Sequence, residues 1–300
     1  MDINLNVTYL TLDGYVEVHK YRYLYFVIMF TAYILIICSN STIVCLIVIH
    51  KNLHKPMYIF IAALLLNSVL LSTALYPKIL FDVLSEKQII SYSACLFQWF
   101  IYYSLGCSEF LLLAAMAYDR YVSICKPLQY LTIMRKTNIC IVLVLAWLLP
   151  ACTFAISVGQ SVDIKLCNFD YKGIICSSAV LKLHCVISRV VYIYGLIALV
   201  DLVILPVLFI LFTYIRILII TYRSGREVRR KAAQTCLPHL IILINYSCLF
   251  GFDILIARLE TDFPRTLHLI MSLQVMLYHP LFNPIIYGLK MKEIYKHLRI

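Results

Sequence analysis

The sequence predicts an all-α fold, a bundle of seven membrane-spanning helices with its N-terminus outside the cell and its C-terminus inside. Three observations predict it. Apolar residues make up 63% of the 300 and charged residues only 14%, and the mean hydropathy is +0.89, well beyond ordinary globular domains. Seven apolar stretches are each long enough to cross about 30 Å of hydrocarbon as a helix of roughly 20 residues. Basic residues gather on alternate connections, as the positive-inside rule requires. With eight Gly, nine Pro and no polar low-complexity tract, the composition also excludes disordered and fibrous classes.

The chain opens with a tail, 1–22, that holds Asp2, Asp13 and Glu17 and no apolar h-region, so the first span is expected to serve as the insertion signal. Asn6-Val7-Thr8 is a sequon in this outer tail, which makes Asn6 the expected glycosylation site. The sequons at Asn40 and Asn245 fall within spans and are discounted. The membrane domain, 23–287, holds spans near 23–49, 57–80, 95–124, 137–158, 190–222, 232–255 and 267–287. The third and fifth exceed what a bilayer needs and are expected to tilt and extend inward. The tail 288–300 is short, cytoplasmic and expected to form an amphipathic helix.

Charge fixes the orientation. The inner side collects Lys51 and Lys55, then Arg120, Lys126, Arg135 and Lys136, then the cluster from Arg216 to Lys231, and last Lys290, Lys292, Lys296 and Arg299, which together are most of the 26 basic residues. The net charge of +11 is therefore topology rather than a nucleic-acid footprint. The expected surroundings are the lipid bilayer of the cell membrane, with no nucleic acid. Of twelve cysteines, Cys95, Cys167, Cys176 and Cys185 fall on the outer, oxidising side. Four there suggest two disulfides, with three connectivities allowed by the sequence.

No phosphate-cradling glycine loop, His-Glu-x-x-His or Cys-x-x-Cys is present, so no enzyme, cofactor or metal is expected. The odd number of spans and the lack of a repeat between halves count against a transporter. Intramembrane charges are costly, about 2.5–3.5 kcal/mol on insertion scales, and are functional candidates by default. There are three: Glu109, Asp201 and Asp253. Tyr102, Glu109 and Arg120 return to nearly one face of span three at 100° per residue, which places one polar stripe toward the bundle. Glu109 is either a protonated acid bonded to a neighbouring helix or part of an ion or water network. Asp253 either pairs with Arg258 or a loop lysine, or meets a ligand's donor group. Asp201, seven residues after Tyr194, is balanced in the same way. Two acids at pocket depth would suit an amine-bearing, water-soluble ligand.

The inner ends of the helices narrow the reading. Span three closes with Met116-Ala117-Tyr118-Asp119-Arg120-Tyr121-Val122-Ser123-Ile124-Cys125-Lys126-Pro127-Leu128, and span seven with Pro280-Leu281-Phe282-Asn283-Pro284-Ile285-Ile286-Tyr287. The first joint reads Leu53-His54-Lys55-Pro56-Met57-Tyr58, and span six opens with Lys231-Ala232-Ala233-Gln234-Thr235-Cys236-Leu237-Pro238-His239-Leu240. In this order the four motifs resemble the rhodopsin-like G-protein-coupled receptors and, within them, the odorant receptors. Ala62-Ala63-Leu64-Leu65-Leu66-Asn67 looks more like the fish branch than the mammalian one. The resemblance implies a small odorant bound between spans three, five and six, and a heterotrimeric, adenylyl-cyclase-stimulating G protein at the inner face. A non-olfactory chemoreceptor for a small molecule or peptide is the alternative, and a transporter the remote one.

By that resemblance Tyr102 and Tyr103, with Gly106 one turn deeper, would line the ligand site, tyrosine offering apolar area with one polar tip; Asp201, Phe252 and Asp253 are the further candidates for it. Asp119, Arg120, Tyr121, Pro206, Tyr214, Asn283, Pro284 and Tyr287 resemble the family's switch residues, and Glu109 and Ser68 its polar network. The resemblance pairs Cys95 with Cys176, which leaves Cys167 for Cys185. Three departures stand out. Ser39-Asn40 replaces the frequent Gly-Asn, Ser68 replaces the usual acid of span two and with it the usual sodium site, and Tyr246-Ser247-Cys248 stands where Phe-Tyr-Gly is common. No acid opens span six, so Arg120 must be held by Asp119 or a hydroxyl.

Overall fold

The computed structural model describes residues 8–186, 188–222, 226–258, 264–290 and 294. Its helices are α1 (Val18–Ile49), α2 (Pro56–Leu84), α3 (Tyr92–Cys125), α4 (Lys136–Gly159), α5 (Arg189–Tyr222), α6 (Arg226–Arg258) and α7 (265–290). Six of them carry an apolar window long enough to cross a membrane. In α6 the apolar stretch is His239–Phe252, because the first turns of that helix bear Arg226, Arg229, Arg230 and Lys231. The chain is a membrane helix bundle. Asn6 and, in the tail 288–300, residues 291–293 and 295–300 lie outside the described residues.

α3 is the axle. Within its apolar window 78% of residues are buried, against 28% for α1 and 22% each for α4 and α5. It packs against α2, α4, α5 and α6, while α7 closes the bundle against α1, α2 and α6. The 34 residues of α3 span about 51 Å at 1.5 Å per residue, more than the hydrocarbon thickness, and α5 matches it. α1 is nearly as long at 32 residues because it begins at Val18, ahead of the expected boundary. Tyr21 has non-helical torsions (φ −114°, ψ 22°), so regular helix starts just beyond it.

Two local devices shape α7. Pro284 has no N–H to give to the carbonyl four residues back, that of Pro280. The Asn40 side-chain amide supplies it, donating to the Pro280 carbonyl at 3.0 Å from a fully buried position. Gln274–Tyr278 forms a π turn, and the Tyr76 hydroxyl donates to the Met276 carbonyl within it at 3.2 Å. Both contacts satisfy carbonyls that lipid could not.

The outer face holds a small sheet that the sequence reading treated only as tail and loop. β1 (Tyr9–Leu12) lies between β2 (Ile89–Ser91), antiparallel with Leu10 opposite Ile90, and β3 (Asp170–Tyr171), parallel with Leu12 opposite Tyr171. Leu10 and Leu12 are buried while Tyr9 and Thr11 face out, the period-two signature of a half-buried strand. The tail is pinned further by Gly14, where a Cβ would stand 2.4 Å from the Gly173 backbone. Only glycine permits that approach.

Candidate functional site

A cavity of about 520 Å³, its mouth included, opens among α3, α4, α5, α6 and the second outer loop. α3 contributes Trp99, Tyr103 and Cys107, and α4 contributes Phe154 and Ser157. α5 turns Gly195, Ala198 and Val203 toward it, and α6 turns Phe250 and Ile254. Ser178 and Leu181 of the loop form its roof. The Tyr103 and Ser178 hydroxyls lie 2.9 Å apart, and the Ser178 N–H donates to the Tyr103 oxygen at 3.4 Å. The loop is held by a Cys95–Cys176 disulfide, and the Cys176 N–H donates to Gln98 Oε1 at 2.9 Å. A second disulfide joins Cys167 to Cys185.

Of the six residues expected to line the ligand site, Tyr103 lines this cavity. Tyr102 sits behind it, its ring edge-to-face with that of Tyr103 at 5.1 Å and stacked on that of Phe250 at 6.4 Å. Gly106 is a point of close packing rather than lining, since a Cβ there would meet the Phe250 ring at 2.9 Å and the Tyr246 hydroxyl at 3.1 Å. On α6 the cavity is met by Phe250 and Ile254, one turn apart, and Phe252 falls about 200° around the helix from Phe250. The side chain of Asp253 lies outside the described residues. Asp201 corrects the sequence reading most sharply. It sits in a π turn, Val200–Ile204, with its side chain exposed on the outer surface of the bundle. The buried stripe of α5 runs Val191, Ala198, Leu202, Pro206 and Ile210, and its four-residue steps across the π turn pass Asp201 by.

Below the cavity an aromatic column leads inward. The Phe250 ring is 5.6 Å from that of Tyr246, which stacks on His279 at 4.2 Å, and the Tyr246 hydroxyl donates to the Gly106 carbonyl at 2.9 Å. His279 Nε2 lies 2.5 Å from Glu109 Oε1, with both residues at most 2% exposed. Asn283 Nδ2 donates to the same carboxylate at 3.1 Å and to the Ser68 hydroxyl at 3.3 Å. Glu109 is thus bonded to a neighbouring helix and belongs to a four-residue polar cluster. His279 was missed from sequence, although His279, Asn283 and Tyr287 recur every four residues on one face of α7. Beside it, Asn67 donates to the Leu105 carbonyl and accepts from the Trp147 indole at 3.1 Å.

Near the inner end, His239 Nδ1 lies 3.2 Å from the Tyr287 hydroxyl, and the Tyr214 hydroxyl is buried without a partner among the described residues. Arg120 is held by the fully buried Asp119, its Nε donating at 3.0 Å. Tyr130, from a helical turn at Tyr130–Ile133, donates its hydroxyl to the other Asp119 oxygen at 2.8 Å. Burial, and then the Asp119 carboxylate, push the Tyr130 phenol above its usual range, so it stays a donor. Tyr121 is half-buried beside this group. Tyr130 was not singled out from sequence.

A family model described as olfactory receptor matches residues 29–300. The chain belongs to the olfactory receptor family. Homo sapiens olfactory receptor 11A1 is 33% identical across 99% of this chain and 94% of its own length. Olfactory receptor 10K1 of the same organism is 34% identical over 95% and 92%, and olfactory receptor 4E1 is 36% identical over 96% and 91%. This olfactory receptor is a multi-pass membrane protein and a receptor rather than an enzyme.

The receptor's outer loop carries one pH-sensitive contact. His184 Nε2 meets the Tyr92 hydroxyl at 2.9 Å, and Tyr92 donates to the Ser161 carbonyl at 2.7 Å. Burial lowers the His184 pKa from 6.5, so the folded loop holds the neutral ring. Its contribution to stability is complete above about pH 6.5, where the unfolded ring is also neutral. It is lost as pH falls through the folded value, because the unfolded state then binds more protons. Hydrogen exchange across 161–185, corrected for intrinsic rate, should therefore quicken as pH falls from about 7.5 to about 5. Unchanged protection there, or the same quickening in His184→Phe, would remove His184 from that role.

Proposed function

We propose that this odorant receptor takes its ligand in the cavity under the disulfide-held loop and passes binding inward to a heterotrimeric, adenylyl-cyclase-stimulating G protein. One observation carries the reading. Phe250 both lines the cavity and packs on Tyr246, whose ring rests on the His279–Glu109–Asn283–Ser68 cluster at the middle of the bundle. A ligand that displaces Phe250 must move α6 relative to α3 and α7. It shifts the equilibrium only by its differential affinity for the two arrangements. The proline-interrupted α7 and the Asp119-held Arg120 are the elements with two ways to be satisfied. The basic run from Arg223 to Lys231 supports contact with the G protein and anionic lipid. The run 62–67 supports placement in the fish branch of the family.

The test is cyclic AMP in cells expressing the receptor with the olfactory G protein, challenged with pooled odorants, alongside Arg120→Ala and the cavity-filling Ala198→Phe. Both variants should abolish the response at unchanged surface level. A response that survives Arg120→Ala would remove Arg120 from coupling, and a current without cyclic AMP would revive the transport reading.

A further inference from the structure

We propose that the cavity of this receptor selects a neutral odorant bearing a carbonyl oxygen (a ketone, aldehyde or ester) and that Ser178 of the second outer loop donates the hydrogen bond that selects it. The inference rests on the reading of the cavity as the odorant site.

The chemistry of the wall carries it. Among the described lining residues none bears a carboxylate, ammonium or guanidinium group. Asp201, the acid that would have suited an amine, faces out of the bundle. A cationic ligand in such a wall would lose its hydration without gaining a counter-charge. Most of the remaining surface is aromatic or aliphatic, with Phe154, Leu181, Val191, Leu199, Val203 and Phe250 available to a hydrocarbon chain.

The polar fixtures are the Tyr103, Ser157 and Ser178 hydroxyls and the Trp99 indole, and Ser157 gives its hydrogen to the Thr153 carbonyl of its own helix at 3.4 Å. Either hydroxyl of Tyr103 and Ser178 can be the donor across their 2.9 Å contact; with the more acidic phenol of Tyr103 giving its hydrogen to the Ser178 oxygen, the Ser178 N–H returns a bond to the Tyr103 oxygen at 3.4 Å. That reciprocal pair leaves the Ser178 hydroxyl hydrogen for a ligand acceptor. Ser178 is half-buried, opens a 3₁₀ turn (Ser178–Leu183) that Ser177 caps, and stands two residues beyond Cys176, so the disulfide fixes where its hydrogen can reach. Trp99, in the same wall and 3% exposed, has an indole N–H with no partner among the described residues. The wall is therefore rich in donors, and an acceptor is what complements it.

The experiment compares three pools on cells with quantified surface receptor: straight-chain ketones, aldehydes and esters; amines of the same chain lengths; and the parent alkanes. The carbonyl pool should activate and the others should not. Ser178→Ala should raise the half-maximal concentration of the active carbonyl compound about tenfold, the worth of one neutral hydrogen bond at the upper end. Ser178→Thr should restore most of the potency, and Tyr103→Phe should cost less than Ser178→Ala because it leaves the Ser178 hydrogen in place. An active amine pool whose response disappears in Asp253→Asn overturns the ligand class while leaving the cavity as the site. Silence to the carbonyl pool, or equal potency of wild type and Ser178→Ala, overturns it as well. A carbonyl response that survives Ala198→Phe overturns instead the cavity reading on which it rests.

Discussion

His279→Leu is expected to destabilise the receptor by about 1–3 kcal/mol, the usual cost of leaving a buried hydrogen-bonding group without its partner. The carboxylate of Glu109 is 1% exposed and the imidazole 2%, so water cannot take the place of either. With the ring gone, Glu109 keeps, among the described residues, only the Asn283 amide, and Tyr246 loses the ring on which it stacks. Glu109→Leu should cost about as much for the complementary reason. Glu109→Leu with His279→Leu should recover a large part of the loss, since replacing both members of a buried pair by apolar groups is often neutral. Thermal unfolding of purified receptor in detergent, run as a double-mutant cycle, reads the coupling directly. Strict additivity of the two single changes would mean that the pair does not act as a unit. Glu109→Gln separates charge from hydrogen bonding. It preserves an acceptor for Asn283 and should be milder than Glu109→Leu.

The same cluster shows where sequence reasoning reaches and where it stops. The bundle was legible because lipid forces every span to declare itself as a continuous apolar run, and the orientation because basic residues stay inside. Glu109 was legible as a buried acid, since a charge within a span is rare enough to demand a partner. The partner was not legible, because His279 lies 170 residues away and becomes a neighbour only when α7 closes against the bundle. Asp201 failed for a different reason. Counting seven residues from Tyr194 assumes an unbroken 3.6-residue period, and the π turn at Val200–Ile204 changes which residues face inward. Phe252 failed by two positions for want of a reference point on α6, where Phe250 and Gly106 set the register. The strand at Tyr9–Leu12 did show its alternation, yet its partners at Ile89–Ser91 and Asp170–Tyr171 are fixed only by the folded loop.

That loop gives the second large effect. Cys95→Ala should abolish surface delivery, whereas removing Cys167 and Cys185 together should leave much of it. Chain-entropy reasoning already favours the first bridge, which closes a sequence separation of 81 against 18, although the difference between loops of such lengths is only about 1–2 kcal/mol. What each bridge holds separates them further. Cys95 and Cys176 are fully buried, joining the first turn of α3 to the strip that carries Tyr171, Ser177 and Ser178. In that strip the Tyr171 hydroxyl accepts from the Ser177 N–H at 3.0 Å and Tyr171 anchors β3 beside the N-terminal strand. Opening this bridge therefore unseats the cavity roof and the outer sheet at once. Cys167 and Cys185 are exposed and close only the outward part of the loop, where Cys167 N–H already donates to the Leu183 carbonyl at 2.9 Å. Surface labelling of tagged receptors, followed by hydrogen exchange of 163–186 in whatever reaches the surface, distinguishes the two roles. Equal loss of delivery from both changes would show that the cell's folding machinery reads the loop as one unit. Retained delivery in Cys95→Ala would mean that the sheet and the Tyr103–Ser178 contact hold the roof without the covalent tie, and ligand potency in that variant would then measure how well Ser178 keeps its place.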